Sequence, residues 1–113
     1  MTGNIGTLLY MANEVLQNQK QYNESCDVYS FGIVMYELLF EKLPYSDENV
    51  NDTLDMFLLA TQISQGRRPS IPIREYTEHE QSLVQLMQYC WSQNAQDRPN
   101  FKEIHNNLER LLT

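Results

Sequence analysis

The stretch from Ser25 to Glu41 constrains the fold of this chain more than any other segment. Apolar side chains occur almost all around its helical wheel: Val28, Tyr29, Phe31, Ile33, Val34, Met35, Tyr36, Leu38, Leu39 and Phe40. A helix that is apolar on every side is usually buried at the centre of a larger fold. Gly32 lowers helix stability by about 1 kcal/mol relative to Ala, so its presence indicates close packing of another element there. We therefore expect a central helix that ends before Pro44.

Shorter helices are predicted on either side of this segment. One lies near residues 12–18, and another spans 53–65, where Gly66 is a natural stop. Thr77 and Glu80 form a capping box that begins the next helix, and Pro99 suits the first turn of the last one. The chain as a whole therefore predicts an all-α fold.

The spacing of apolar residues assigns one apolar face to each of these helices. In the helix 53–65 the face contains Leu54, Phe57, Leu58 and Thr61. In the next helix it contains Leu83, Leu86, Met87 and Cys90, and Trp91, which follows, is expected in the core. In the last helix it contains Phe101, Ile104, Leu108, Leu111 and Leu112.

Composition and charge exclude several classes of function. The 113 residues correspond to about one small domain. The formal net charge is −7, with eight Lys and Arg residues, which argues against nucleic-acid binding because phosphate contacts need clustered basic side chains. Cys26 and Cys90 lie in apolar stretches and suggest no disulfide framework. His79 and His105 have no ligand spacing around them, so no metal site is predicted.

Nothing in the sequence indicates export or a membrane span. The first residues contain no basic region and no apolar core of signal length. The most apolar run, 26–40, is too short to cross a bilayer and carries Asp27 and Glu37. We therefore predict a cytoplasmic location with no membrane partner.

Three separated motifs resemble those of the protein-kinase catalytic domain. Residues 6–14, GTLLYMANE, are similar to the G-T-x-x-Y-M-A-P-E stretch that ends the activation segment. Residues 27–32, DVYSFG, resemble the opening of the family's buried central helix, and residues 90–101 resemble its C-W…R-P-x-F signature. Their order and spacing match across 1–113. The mixture of motifs is typical of the tyrosine-kinase-like group of Ser/Thr kinases, and it implies the helical C-terminal lobe of that fold, without the N-terminal lobe and the catalytic loop.

The resemblance implies roles for residues of the first motif. Gly6, Thr7 and Tyr10 correspond to the substrate-binding loop, and Thr7 matches a threonine that contacts the catalytic aspartate, which is absent here. Asn13 stands where the family usually has proline. Because proline would stiffen the chain at this point, we expect Asn to leave the loop freer.

The resemblance also implies two roles for charged side chains. Glu14 and Arg98 would form a buried ion pair that joins the first loop to the start of the last helix. Asp27 would anchor the catalytic loop through its backbone N–H groups. A favourable interaction with the helix dipole is a sufficient structural reason for an aspartate at this position.

The parts that perform phosphoryl transfer in kinases have no match in this sequence. These parts are the Gly-rich loop, the lysine–glutamate pair, the H-R-D…N loop and the D-F-G aspartate. We therefore predict no catalytic residue, no cofactor site and no metal site in this chain, and we expect ATP and Mg²⁺ only in a full-length parent. A truncated gene model, an expression fragment and a degenerate paralogue all agree with this pattern.

Two classes of function remain open. The chain is either a fragment of an active Ser/Thr kinase that acts on protein substrates, or a non-catalytic protein-interaction module. In the family, the helix that follows loop 46–52 often docks partners. Because the missing upstream segments would cover one side of the central helix, Phe31, Val34, Leu38 and their neighbours cannot all be hidden by the short helices present, and we expect the uncovered face to favour self-association.

Overall fold

A computed structural model describes residues 8–16 and 23–112. The described residues form α1 (Asn13–Leu16), α2 (Glu24–Phe40), α3 (Thr53–Ser64), α4 (Glu78–Cys90), a 3-10 helix (Ala95–Asp97) and α5 (Phe101–Leu112). No β-strand occurs in these two ranges. The predicted all-α fold class is therefore confirmed.

The central helix α2 begins and ends at well-defined caps. The side chain of Asn23 accepts a hydrogen bond from the Ser25 N–H, which satisfies one donor of the first turn. Glu41 ends the helix in the left-handed region, at φ 53°, and its N–H donates to the carbonyl of Glu37.

Across the described residues, no helix combines the length and apolarity that a membrane span requires.

Gly32 lies at a close contact between α2 and α4. A Cβ atom at this position would lie 2.9 Å from Cys90 Cβ and 3.1 Å from the carbonyl oxygen of Met87. These distances leave no room for a side chain, because protein interiors are close-packed. The close packing that the sequence predicted at Gly32 is therefore confirmed, and α4 is the element that packs there.

The main core surrounds α2 and includes side chains from α4, α5 and Ala12. Tyr29, Ile33 and Tyr36 of α2 are buried in it, together with Met87 and Trp91. The Tyr36 hydroxyl donates to the carbonyl of Ser70 at 2.8 Å. This bond fixes the extended stretch after α3 against the core. The expectation that Trp91 is a core residue is confirmed, since only 5% of it is exposed.

The apolar residues of α3 form two opposite faces. The buried face contains Met56, Leu59 and Ile63, and the last two pack with Tyr45. The face that sequence spacing identified, with Leu54, Phe57 and Leu58, is the exposed one, at 65%, 62% and 55%. The prediction located the wrong face because both sets have helical spacing, and spacing does not tell which set meets the core.

Both ends of α3 follow from local sequence. The Asp52 side chain accepts from the Asp55 N–H at 2.8 Å and caps the first turn. Gly66 lies just beyond the last turn at φ 117°, a conformation that side chains disfavour. The helix therefore ends where the sequence predicted, and residues 67–73 continue without regular structure.

The last two helices begin with reciprocal capping bonds. Thr77 Oγ1 accepts from the Glu80 N–H at 3.1 Å, and Glu80 Oε1 accepts from the Thr77 N–H at 2.9 Å, which confirms the predicted box. Asn100 and Glu103 make the same exchange at the start of α5, at 2.8 and 3.2 Å. Pro99 therefore precedes the cap, whereas the sequence predicts it in the first helical turn.

The apolar face of α5 is only partly covered. Ile104 is buried, and Leu108 packs against the core cluster. Phe101 and Leu112 belong to the predicted face but are 38% and 85% exposed. Phe101 nevertheless packs edge-on against Phe31 of α2, with ring centroids 6.0 Å apart, so the predicted face is covered at its start and middle, whereas Leu112 at its end faces solvent.

Candidate functional site

The buried ion pair between Glu14 and Arg98 joins the first described segment to the residues before α5. Arg98 Nη1 lies 2.8 Å from Glu14 Oε2, and Arg98 Nη2 lies 2.8 Å from Glu14 Oε1. The Arg98 side chain is fully buried, and that of Glu14 is 15% exposed. Two parallel bonds to a carboxylate fix its position and its orientation. The structure thus brings together the two side chains that the resemblance paired.

All five N–H donors of Arg98 have acceptors. Besides the two bonds to Glu14, the guanidinium contacts the Ser92 carbonyl through Nε at 2.9 Å, the Ser25 carbonyl through Nη1 at 3.1 Å, and Asn13 Oδ1 through Nη2 at 3.0 Å. A guanidinium has five donors, and leaving any of them unpaired in the interior is costly. Complete pairing explains how the fold tolerates this buried charge.

The environment of Glu14 favours its ionised form. Burial raises the pKa of Glu14, but the hydrogen bonds and the positive charge of Arg98 outweigh burial, so the pKa lies below its usual value. The Cys26 thiol donates to the same carboxylate, with Sγ 3.4 Å from Oε2. Burial and the adjacent Glu14 raise the pKa of the Cys26 thiol, so this cysteine is protonated at neutral pH and is no nucleophile.

A second guanidinium, that of Arg68, lies beside the ion pair. Its five donors contact neutral oxygens at 2.7–3.1 Å: Oδ1 of Asn13, Oε1 of Gln93, and the carbonyls of Ile63, Arg67 and Trp91. The carbonyls of Ile63 and Trp91 belong to the C-terminal ends of α3 and α4, which carry partial negative charge. Burial lowers the pKa of Arg68, yet an arginine remains charged.

Asn13 connects the two guanidinium groups. Its Oδ1 accepts from Arg68 at 3.1 Å and from Arg98 at 3.0 Å, and its Nδ2 donates to the Gln93 carbonyl at 3.0 Å. The residue is 4% exposed. The prediction of a freer loop at Asn13 rests on backbone flexibility alone and includes no contact of the side chain. The structure differs because three side-chain contacts fix this residue.

The ring of Tyr29 lies against both arginines of this cluster. The Cζ atoms of Arg68 and Arg98 lie 4.9 and 5.1 Å from the ring centroid, within the range of cation–π attraction. Burial raises the pKa of Tyr29 to about 12. The ring therefore stays neutral and supplies an aromatic surface for both cations. Within the described part of the chain, its hydroxyl has no hydrogen-bond partner.

The remaining predicted site residues lie apart from the arginine cluster or outside the described residues. Tyr10 is fixed on α2, because its hydroxyl donates to the Glu37 carboxylate and its carbonyl accepts from Ser30 Oγ at 2.7 Å. Asp27 lies in the first turn of α2 with an exposed side chain. Its role as an anchor of the catalytic loop stays a prediction. Gly6 and Thr7 lie outside the described residues.

Arg68 and Gln93 are members of this cluster that the sequence did not predict. The sequence shows Arg68 in a turn beside Pro69, and Gln93 in a polar loop. The partners of Arg68 lie as far as 55 residues away in the chain, and no local pattern carries such a contact. The one available signal was the unusual Asn13 at a position where the resembling motif has proline.

The described residues offer no group of three or more His, Cys, Asp or Glu side chains that could hold a metal ion.

A groove of about 210 Å³ lies between α4 and α5, lined by Ser82, Gln85, Leu86, Tyr89, Asn107, Arg110 and Leu111. It is smaller than a typical small-molecule site, which measures roughly 300–1,000 Å³. We therefore assign no cofactor to it.

Comparison with known proteins decides the family. A model described as the protein kinase domain matches residues 1–108, which is nearly the whole chain. This chain belongs to the protein kinase family. Within it, the Glu14–Arg98 pair joins the first described segment to the residues before α5, and the main core packs around α2.

Several named protein kinases are similar to this chain. A probable LIM domain-containing serine/threonine-protein kinase of Dictyostelium discoideum is 37% identical over 98% of this chain. A dual specificity protein kinase of the same organism is 41% identical over 95%, and a serine/threonine-protein kinase of Arabidopsis thaliana is 37% identical over 99%. The matched stretches cover 10%, 19% and 18% of these three relatives.

Proposed function

We propose that this chain is part of the C-terminal lobe of a kinase that phosphorylates Ser or Thr in protein substrates. The buried Glu14–Arg98 pair carries the proposal, because it fixes the end of the segment that resembles the substrate-binding loop. Tyr10, bonded to Glu37 and Ser30, supports the same segment from the other side. The similarity to relatives named as serine/threonine-protein kinases supports the choice of substrate.

In this proposal the chain positions a protein substrate and performs no chemistry of its own. Phosphoryl transfer needs a Gly-rich loop, a base and metal ligands, and none of these motifs occurs in the sequence. ATP and Mg²⁺ would be held by other parts of a full-length parent. The parent would act in the cytoplasm, where its protein substrates and its nucleotide are available.

The native protein provides the test. An antibody raised against this chain would isolate the endogenous polypeptide, whose mass is then measured and whose phosphate transfer from ATP to Ser, Thr and Tyr peptides is assayed. We expect a polypeptide longer than 113 residues that labels Ser or Thr peptides. The same polypeptide carrying Arg98→Ala should lose most of this activity. A native polypeptide of 113 residues that transfers no phosphate would count against the proposal.

The exposed face of α3 favours a second candidate, a protein-interaction module. Leu54, Phe57 and Leu58 lie side by side on this face and are more than half exposed. Exposed apolar groups in contact with one another commonly mark an interface. The exposed carboxylates of Asp47 and Asp52 lie on the residues before α3, and the whole chain carries a net charge of −7. The complementary partner is therefore an amphipathic helix with apolar anchors and basic flanks.

Two synthetic helical peptides test this candidate. A peptide of Leu and Lys should bind the chain, and a peptide of Leu and Glu with the same apolar pattern should not, because the acidic surroundings of the face repel it. Phe57→Ser should weaken binding of the Leu and Lys peptide, whereas Ile73→Ser, at a fully exposed position outside α3, should not. Equal binding of both peptides, or binding insensitive to Phe57→Ser, would contradict the candidate.

A further inference from the structure

Asn13 makes more contacts than its position in the motif suggests. Its side-chain amide contacts Arg68, Arg98 and Gln93, which belong to the turn after α3 and the loop after α4. We propose that Asn13 is a positioning residue that holds the end of the loop in place by bridging the buried guanidinium of Arg98 and the partly buried one of Arg68. A consequence is that proline, the usual residue of the resembling motif, loosens this loop when it replaces Asn13.

The oxygen of the amide is the decisive atom. Two guanidinium groups repel each other, and here both donate to the same Oδ1, at 3.1 and 3.0 Å. The negative end of the amide dipole therefore lies between two positive charges. Removal of this oxygen would leave one donor of the buried Arg98 and one of the partly buried Arg68 without this acceptor, and an unmade bond to a buried charged group is costly.

Asn13 stands at the start of α1, a position where proline is common, so Asn13→Pro is a suitable test of the side chain. Asn13 is the first residue of α1, and the carbonyl of Ala12 accepts from the N–H groups of Val15 and Leu16. The N–H at the first helical position has no partner within the helix, so proline is common there. Any loss of order in Asn13→Pro therefore reports the missing amide and not a broken helix.

The bridge ties the loop to two helix ends. Arg68 donates to Asn13 and also to the carbonyls of Ile63 and Trp91, at the C-terminal ends of α3 and α4. Loss of the Asn13 contact would detach the loop end from both helices while the Glu14–Arg98 pair remains. The residues that gain freedom are then 8–12, which include Tyr10 of the loop that resembles the substrate-binding loop.

Hydrogen exchange of the full 113-residue chain, followed by mass spectrometry, tests this bridge. Asn13→Pro and Asn13→Ala should speed exchange in residues 8–16 by about 10- to 100-fold, the factor that corresponds to the loss of a bond to a charged group. Exchange in α4 should remain unchanged. Asn13→Asp keeps an oxygen between the guanidinium groups and should stay within about threefold of the original chain.

Several outcomes would overturn the bridge. The proposal fails if Asn13→Pro exchanges as slowly as the original chain, or if the original chain shows no protection in residues 8–16. If Asn13→Pro unfolds the whole chain, Asn13→Asp becomes the deciding variant. Exchange in residues 8–16 of Asn13→Asp that is as fast as in Asn13→Ala would then contradict the proposal. The effect of Asn13→Ala should shrink in an Arg68→Gln background, and an equal effect in both backgrounds also contradicts the bridge.

The role of the loop in substrate binding belongs to the proposed function. Exchange is measured without any substrate, so the two ideas can fail separately. Protected residues 8–16 with a kinase-inactive native protein would remove the proposed function and leave the bridge. An active native kinase, together with an Asn13→Pro chain whose residues 8–16 stay fully protected, would remove the bridge and leave the proposed function.

Discussion

Glu14 and Arg98, 84 residues apart in the chain, are joined by two hydrogen bonds of 2.8 Å in a site where the arginine is fully buried. Together with Asn13 and Arg68, this pair closes the short first segment onto the helices that follow it. Loss of one partner leaves a buried charge without compensation, which is more destabilising than loss of an exposed pair.

Substitution of Arg98 should therefore destabilise the chain strongly. We expect Arg98→Ala to lower the free energy of unfolding by about 3–5 kcal/mol, because the Glu14 carboxylate loses its counter-charge in a buried site. Arg67 pairs with Glu48 at a partly exposed site, so Arg67→Ala is the matched control and should cost less than about 1 kcal/mol. Urea unfolding of both variants measures the difference, and equal losses would contradict the structural importance of the pair.

Acid should weaken the fold through Glu14. Because its pKa in the folded chain is lowered, the stabilisation is fully present above the unfolded pKa of about 4.3 and is lost as the pH falls through the folded pKa. Glu14→Gln removes this titration, so its stability should fall less steeply between about pH 5 and 3. Urea midpoints across this range measure both slopes. Parallel slopes would show that Glu14 is not responsible.

Gly32→Ala should destabilise the chain although alanine favours helices. The gain in helix propensity is about 1 kcal/mol, but the new methyl group would lie 2.9 Å from Cys90 Cβ and 3.1 Å from the Met87 carbonyl. Overpacking of this kind typically costs about 1–3 kcal/mol. Asn106→Ala, at an exposed position of α5, is the control and should be neutral or stabilising. A higher melting temperature for Gly32→Ala would mean that the two helices separate easily.

The purified chain should self-associate or bind the dye ANS. Val34 and Leu38 of the central helix are 38% and 75% exposed, and an exposed apolar face favours association. Leu38→Lys should reduce both signals, whereas Leu112→Lys, at the exposed end of α5, should change them less. Sedimentation, ANS fluorescence and thermal melting test this. A compact monomer with a sharp melt and no ANS signal would refute the expectation.

The chain alone should not bind nucleotide. Its sequence contains no Gly-rich phosphate loop, no H-R-D motif to supply the catalytic base and no D-F-G motif to bind the metal ion. Isothermal titration of the purified chain with Mg-ATP should give no heat of binding beyond dilution, and a full-length kinase provides the positive control. Saturable binding with a micromolar Kd would contradict this prediction.

The sequence by itself determined the elements of this protein and its family. The helix of residues 24–40, the Thr77–Glu80 box and the turn at Gly66 depend on contacts within a few residues, which a linear pattern records. The paired residues Glu14 and Arg98 were found through the resemblance of their motifs, since spacing alone does not connect positions so far apart.

The tertiary structure decided which surfaces are buried and which polar groups meet. The two apolar faces of α3 have similar spacing, and only packing against Tyr45 selects the one with Leu59 and Ile63. The contacts of Asn13 with Arg68 and Arg98 depend on two distant segments that converge on the ring of Tyr29. Such partners cannot be predicted from the residue alone, because the energy of a buried polar group depends on which donors the rest of the fold brings to it.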